Sequence, residues 1–220
     1  QQFVMAKPTL ISIDQVHPDS DVIMHAAGII KQGGLVAFPT ETVYGLGCDS
    51  MNPEAVTKVY HAKGREGDKP LLVLIADPSW LAQLTDTISD AVHSLLDTFW
   101  PGPVTFTFPA LPGVPRELLG AGTTIGVRFP GRSTALTLAE AVGRPITAPS
   151  ANRSGTPNPL TARDVKNSLG TSVDMILDGG PASDDRPSSV VDVSKPQPAL
   201  LRAGRIPFEK ILQAWRSYDD

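Results

Sequence analysis

Three short stretches hold most of the side chains that could do chemistry in this chain of 220 residues: FPTETVYGLGCD at 38–49, KGREGDKPL at 63–71 and APSANRSG at 148–155. The first supplies hydroxyls through Thr40 and Thr42, the second cations through Lys63, Arg65 and Lys69, and the third a hydroxyl and an amide through Ser150 and Asn152. Guanidinium forks and ammonium point charges suit phosphate oxygens. Hydroxyl and amide groups suit phosphate or ribose oxygens. The inventory fits an anionic ligand that also carries hydrogen-bonding groups. Each feature has a plainer reading as well. A basic run such as Lys58, His61, Lys63, Arg65 and Lys69 is more often a solvated helix face. Ser or Asn after a strand more often closes a turn through its own backbone. Residue chemistry alone stops at a small, polar, phosphorylated ligand.

Several chemistries are excluded. There is no GxxxxGK[ST], so the chain is not a P-loop protein. GAGTTIG at 120–126 has glycine spacing one residue too long for a dinucleotide fingerprint. Ser150 has no GxSxG elbow around it and no evident partner histidine, which argues against a nucleophile. The single cysteine, Cys48, excludes an internal disulfide and a thiolate metal cluster, and reads as a small buried filler. Histidines 17, 25, 61 and 93 show no HxxxH spacing, so no histidine metal site is expected. A net charge of −4 argues against polyanion binding over the whole surface. No apolar run approaches membrane-spanning length and no signal peptide is evident, so a cytoplasmic location is expected. Met5 reads as the natural start.

The elements that must position these loops are legible from periodicity. Apolar side chains at 22, 23, 26, 29 and 30 predict a helix over 20–32, stopped by Gly33-Gly34. Asn52-Pro53 opens a second helix with Val56, Val59 and Tyr60 inward and Gly64 at its end. Further helices are predicted at 88–99, 133–142 and 161–168. Strands are predicted near 35–38, 71–75, 104–108, 124–128, 145–148, 173–177, 189–193 and 199–202. LLVLI at 71–75 is continuously apolar, whereas VTFTF at 104–108 alternates, as for a strand with one face less buried. The pattern argues for a mixed parallel and antiparallel sheet flanked by helices. Polar loops at its strand ends would build a ligand crevice.

Together these stretches resemble the YrdC-like family of threonylcarbamoyl-adenylate synthases. The matching segments are PTETVYGLG at 39–47, KGR through KPL at 63–71, WPGPVT at 100–105 and TIGVRFP at 124–130. APSANRSG at 148–155, SSVVDV at 188–193 and LLRAGRI at 200–206 continue the series in family order. The resemblance implies an α/β fold: a twisted, mixed and mostly parallel open sheet flanked by helices, with a concave central cavity. It implies one domain over residues 1–220, with flexible ends at 1–8 and 216–220.

The implied reaction joins L-threonine, bicarbonate and ATP into L-threonylcarbamoyl-adenylate and pyrophosphate, with Mg²⁺ accompanying ATP and no protein-held metal. Lys63, Arg65, Ser150 and Asn152 stand at the family's polar tetrad, expected to be catalytic. Arg65, Lys69, Thr124, Ser150, Asn158 and Arg202 stand where the family contacts ATP. Thr42, Arg128, Ala148 and Ser188 stand where it holds threonine. Downstream threonylcarbamoyl-transfer proteins would then modify tRNA, and weak tRNA binding belongs to the same expectation. The chain departs from the family at Leu74, where many members have histidine, and at Lys69 and Asn158, which replace other polar residues. Some relatives carry a second C-terminal domain, so the expectation is a single-domain type or a truncated one. Two rivals remain: an RNA-binding module of the same fold without adenylation, and a domain of larger carbamoyltransferases. The second normally needs acylphosphatase-like and zinc-finger regions.

Overall fold

Helix-forming and strand-forming runs alternate along the chain, which a computed structural model describes over residues 7–86 and 88–219. The strands among these residues are β1 (Thr9–Ser12), β2 (Val36–Phe38), β3 (Gly45–Gly47), β4 (Val73–Leu74), β5 (Val104–Pro109), β6 (Thr124–Arg128), β7 (Ile146–Thr147), β8 (Met175–Asp178), β9 (Ser189–Asp192) and β10 (Ala199–Arg202). The helices are α1 (Ser20–Lys31), α2 (Pro53–Lys63), α3 (Asp90–Phe99), α4 (Thr134–Val142), α5 (Ala162–Leu169) and α6 (Phe208–Asp219). Met5 and part of the ends expected to be flexible lie outside the described residues. Residues 216–219 form the last turn of α6. No helix among the described residues is long and apolar enough to cross a membrane.

Local chemistry sets the helix bounds. Asn52 caps α2 by accepting from the Glu54 and Ala55 amides, Pro53 sits in the first turn, and Gly64 ends the helix in the left-handed region at φ 56°. Lys63 is thereby placed on the last turn, facing inward. Asp19 caps α1 in the same way, and Thr161 and Asp164 form a reciprocal capping box on α5.

The strands form a four-stranded sheet, β1-β8-β2-β3, and a six-stranded sheet, β10-β9-β5-β6-β4-β7. Backbone bonds stitch the two together where β3 runs beside β7. The Leu46 amide donates to Pro149 O (2.8 Å), Ala151 N to Tyr44 O (2.9 Å) and Thr147 N to Cys48 O (3.1 Å). The Thr147 hydroxyl accepts from Cys48 N and donates to Leu46 O. This seam carries the first and third polar loops side by side. The expected mixed, open α/β architecture is present. Its strand pairings are four parallel and four antiparallel, so the parallel share is half instead of a majority.

Two cores flank the sheets. One gathers Tyr44, Val73, Phe106, Phe108 and Leu84, and the other packs α1 and α4 over Phe38, Leu74, Ile146 and Met175. Each such side chain, fully buried, contributes about 1.5–3 kcal/mol against leaving it exposed. The five helices predicted from periodicity and all eight predicted strands are present, with small boundary shifts; LLVLI narrows to Val73–Leu74. β5 differs from expectation, because Val104 through Phe108 are all buried. It lies between β9 and β6, with its phenylalanines in the core and its threonines lining a cavity. β1, β3 and α6 went unpredicted. β3 is the sequence Gly-Leu-Gly, which shows no alternation. A Cβ at Gly47 would stand 2.5 Å from Phe38 Cε1, so close approach to that ring is what requires glycine there.

Candidate active site

A cavity of about 300 Å³ opens over β5 and β6, at the small end of the about 300–1,000 Å³ usual for ligand pockets. Hydroxyls of Thr105, Thr107, Thr124 and Ser150 line it, together with the guanidinium groups of Arg65 and Arg202. A smaller chamber of about 30 Å³ adjoins it, lined by Thr42, Arg128, Ala148, Asn158 and Ser188 among others. Leu72, Ser150 and Arg202 border both.

The residues expected at a nucleotide site and at an amino-acid site thus divide between two neighbouring chambers. Arg65, Thr124, Ser150 and Arg202 face the large one, and Thr42, Arg128, Ala148 and Ser188 the small one. Asn158, placed with the nucleotide residues by resemblance, lines the small chamber and donates to Asp185 O at 3.0 Å. Lys69 lines neither of the two and pairs with Glu66 at 3.5 Å on the surface. Leu74 also lines neither. It packs among Ile23, Leu138 and Ile146, and stands beside Arg128 in the β4–β6 pairing.

Lys63 and Asn152 sit behind the cavity wall. Lys63 is only 2% exposed. Its ammonium donates to Ser150 O and, at 2.8 Å, to Asn152 O. The Asn152 amide donates to Thr156 O (2.9 Å) and Pro157 O (3.0 Å). Together they lash down the loop that presents the Ser150 hydroxyl. Burial, with a smaller contribution from the Arg65 charge, pushes the Lys63 ammonium down to about 7.

The cavity is strongly cationic. Arg65, Arg128 and Arg202 all have lowered pKa values, with burial the largest cause. For Arg202 the next causes are the charges of Arg128 and Arg65. Arginine stays protonated under such pressure. The result is a preorganised positive field that an anion would relieve. Arg65 donates to Pro70 O at 2.9 Å and leaves a buried Nε without a hydrogen-bond partner. Arg202 holds Ser188 through its carbonyl (2.8 Å) and hydroxyl (3.0 Å). The Ser188 hydroxyl lies 2.9 Å from that of Thr105.

Arg128 is held on three sides. It donates to Gly102 O (3.1 Å), to the Thr42 hydroxyl (3.1 Å) and to the Glu41 carboxylate. Thr40 commits its own proton to Val43 O, so Thr42 is the donor in their shared 2.9 Å bond. Residue-by-residue reading passed over Glu41, Thr105 and Arg205. Arg205 donates to Glu41 O and lies 3.4 Å from Asp184. Glu41 and Arg205 stand inside recognised motifs, PTETVYGLG and LLRAGRI, so the signal was there.

Among the described residues no group of three or more His, Cys, Asp or Glu could hold a metal. The large chamber offers hydroxyls and cations without a carboxylate. That donor set does not fit a protein-held Mg²⁺, which commonly rides on substrate phosphates.

Residues 28–204 match the Sua5–YciO–YrdC family model, described as Telomere recombination. The chain is similar to the threonylcarbamoyl-AMP synthase of Pyrococcus abyssi, at 44% identity over 186 residues, covering 84% of this chain and 55% of the relative. It is similar to the threonylcarbamoyl-AMP synthase of Bacillus subtilis, at 41% identity over 199 residues, covering 90% of this chain and 58% of the relative. The crystal structure of P. abyssi Sua5 complexed with L-threonine aligns with a TM-score of 0.89 and 40% identity, covering 93% of this chain and 60% of that one. The chain spans little more than half the length of these relatives.

Proposed function

The chain belongs to the Sua5–YciO–YrdC family, and from that premise we propose that it is an L-threonylcarbamoyladenylate synthase domain, a nucleotidyltransferase acting on ATP. L-Threonine, bicarbonate and ATP give L-threonylcarbamoyl-AMP, pyrophosphate and water. The observation that carries this reading is the pair of adjoining chambers that share Ser150 and Arg202. Two substrates in these chambers would meet at that wall. The threonine complex of the P. abyssi relative supports the amino acid as the second substrate.

The chemistry follows from charge. Once carboxylated, threonine's amine carries an anion that must attack the α-phosphorus of a polyanion. The guanidiniums of Arg65, Arg128 and Arg202 that line the two chambers offset that repulsion, and Arg65 and Arg202 stabilise charge on the departing pyrophosphate. Ser150, fixed by Lys63, orients the phosphate between the chambers. Arg128 takes the threonine carboxylate, while Thr42 and Ser188 bound the small chamber. Positioning and electrostatics suffice here, and no side-chain nucleophile enters. Mg²⁺ arrives on the ATP phosphates and supplies further charge neutralisation.

The product would serve cytoplasmic proteins that transfer the threonylcarbamoyl group to tRNA. Pyrophosphate release with ATP and Mg²⁺, adding threonine and bicarbonate together or singly, tests the reading. Release should require both. Equal release without threonine would remove the assignment. Salt-sensitive tRNA binding without pyrophosphate release would favour the RNA-binding rival.

A further inference from the structure

The smaller chamber is narrow. Its volume of about 30 Å³ admits roughly two waters, far less than an amino acid needs. Arg128 forms one wall, only 4% exposed, and the charge that pairs with this buried guanidinium is Glu41. The Glu41 carboxylate sits in a fitted socket. One oxygen accepts from Arg128 and, at 2.7 Å, from the Gly131 amide. The other occupies the space a side chain at residue 131 would fill, because a Cβ on Gly131 would stand 2.3 Å from it. Arg205 fastens the Glu41 main chain through its carbonyl. Between them these contacts hold the 40–43 segment against the chamber, where Thr40, Thr42 and Val43 are lining residues.

A carboxylate on Arg128 is also what a free α-amino acid would bring. Building on the proposed amino-acid role of this chamber, we propose that Glu41 is an internal stand-in for the substrate carboxylate, a latch that occupies Arg128 until the amino acid displaces it. Exchanging one carboxylate for another keeps the buried guanidinium paired throughout, which avoids the large cost of an uncompensated buried charge. Glu41 is already 23% exposed, so it can swing into water without crossing the core. Glu41 is a positioning residue in this scheme and touches no reacting atom. The latched population lowers apparent amino-acid affinity by the fraction of molecules that are open.

Two variants test the latch by different routes. Glu41→Gln removes the competing charge. Gly131→Ala fills the socket while leaving Glu41 and Arg128 intact. Both should bind L-threonine about tenfold more tightly than the parent in calorimetric titrations. L-Threoninamide, which lacks the carboxylate, should show no such gain. Unchanged or weaker threonine binding by Gly131→Ala overturns the latch, even if Glu41→Gln fails to fold. An equal gain for threoninamide also overturns it. Threonine binding by neither parent nor variants removes the functional reading and the latch with it. Binding by the parent with unaltered ratios removes the latch alone.

Discussion

Lys63 Nζ lies 2.8 Å from the main-chain oxygen of Asn152, so the last residue of α2 ties down the loop that presents Ser150 to both chambers. A cation that a residue-by-residue reading sends toward phosphate is instead turned inward onto carbonyl oxygens. Its contribution to the proposed reaction runs through the geometry of Ser150.

Replacing Lys63 by methionine should keep the packing and lose the donors. Each loop carbonyl left unsatisfied should cost about 1–3 kcal/mol of stability. Turnover should fall as Ser150 drifts. Denaturant unfolding and kcat on the same preparation would check this, and a stable variant with normal turnover would contradict the lashing role.

The same residue makes a pH prediction. Its folded pKa is depressed from 10.5 to about 7. Between those values the unfolded chain binds more protons than the folded one, so this group makes stability rise with pH, by at most about 1.4 kcal/mol per pH unit. Below pH 7 both states are protonated and the contribution is flat. Denaturant midpoints for the parent and Lys63→Met, compared across this window, should diverge with rising pH. Parallel profiles would show that Lys63 does not titrate there.

Arg65→Ala should cut the proposed turnover far more than stability. Arg65 donates to Pro70 O and otherwise leaves Nε unpartnered at the cavity, so little packing is lost. Losing a charge-assisted contact to a reacting phosphate costs on the order of 2–4 kcal/mol in the transition state. Arg65→Lys should not restore it, since a point charge cannot reproduce the guanidinium fork. Pyrophosphate release by folded variants decides the matter.

Ser188→Ala should narrow discrimination between threonine and valine more than between threonine and serine. The Ser188 hydroxyl accepts from Arg202 at 3.0 Å and lies 2.9 Å from that of Thr105, which places it as a hydroxyl partner at the small chamber. Threonine's hydroxyl can add a further hydrogen bond to that pair and valine's methyl cannot, a difference of about 0.5–1.5 kcal/mol that the variant would no longer impose. The missing methyl of serine is unaffected. kcat/KM for the three amino acids would show it, and unchanged ratios would move side-chain recognition elsewhere.

Gly47→Ala should destabilise the fold by about 1–3 kcal/mol through overpacking. The added Cβ meets the buried Phe38 ring at 2.5 Å on the strand that borders the seam between sheets. Thermal unfolding would test it, and an unchanged midpoint would mean that β2 and β3 can separate without loss.

The sequence by itself determined the elements with strong periodicity and local stop signals. α2, bounded by Asn52-Pro53 and Gly64, has the limits its composition implies, because capping and left-handed glycine are local effects. The order of the polar motifs was equally legible, and with it part of the cavity lining: Arg65, Thr124, Ser150 and Arg202. Tertiary structure decided which way the side chains point. Lys63 turns inward, Lys69 stays on the surface, Leu74 faces the helix-side core, and Glu41 lands on Arg128 across 87 residues of chain. β3 escaped a sequence reading for the same reason: Gly-Leu-Gly has no pattern of its own and becomes a strand only against Phe38 and the loop at 148–151. Periodicity reports what a residue's immediate neighbours dictate. The partner of a buried charge is set by strand order and sheet twist, which bring together groups that no local pattern relates.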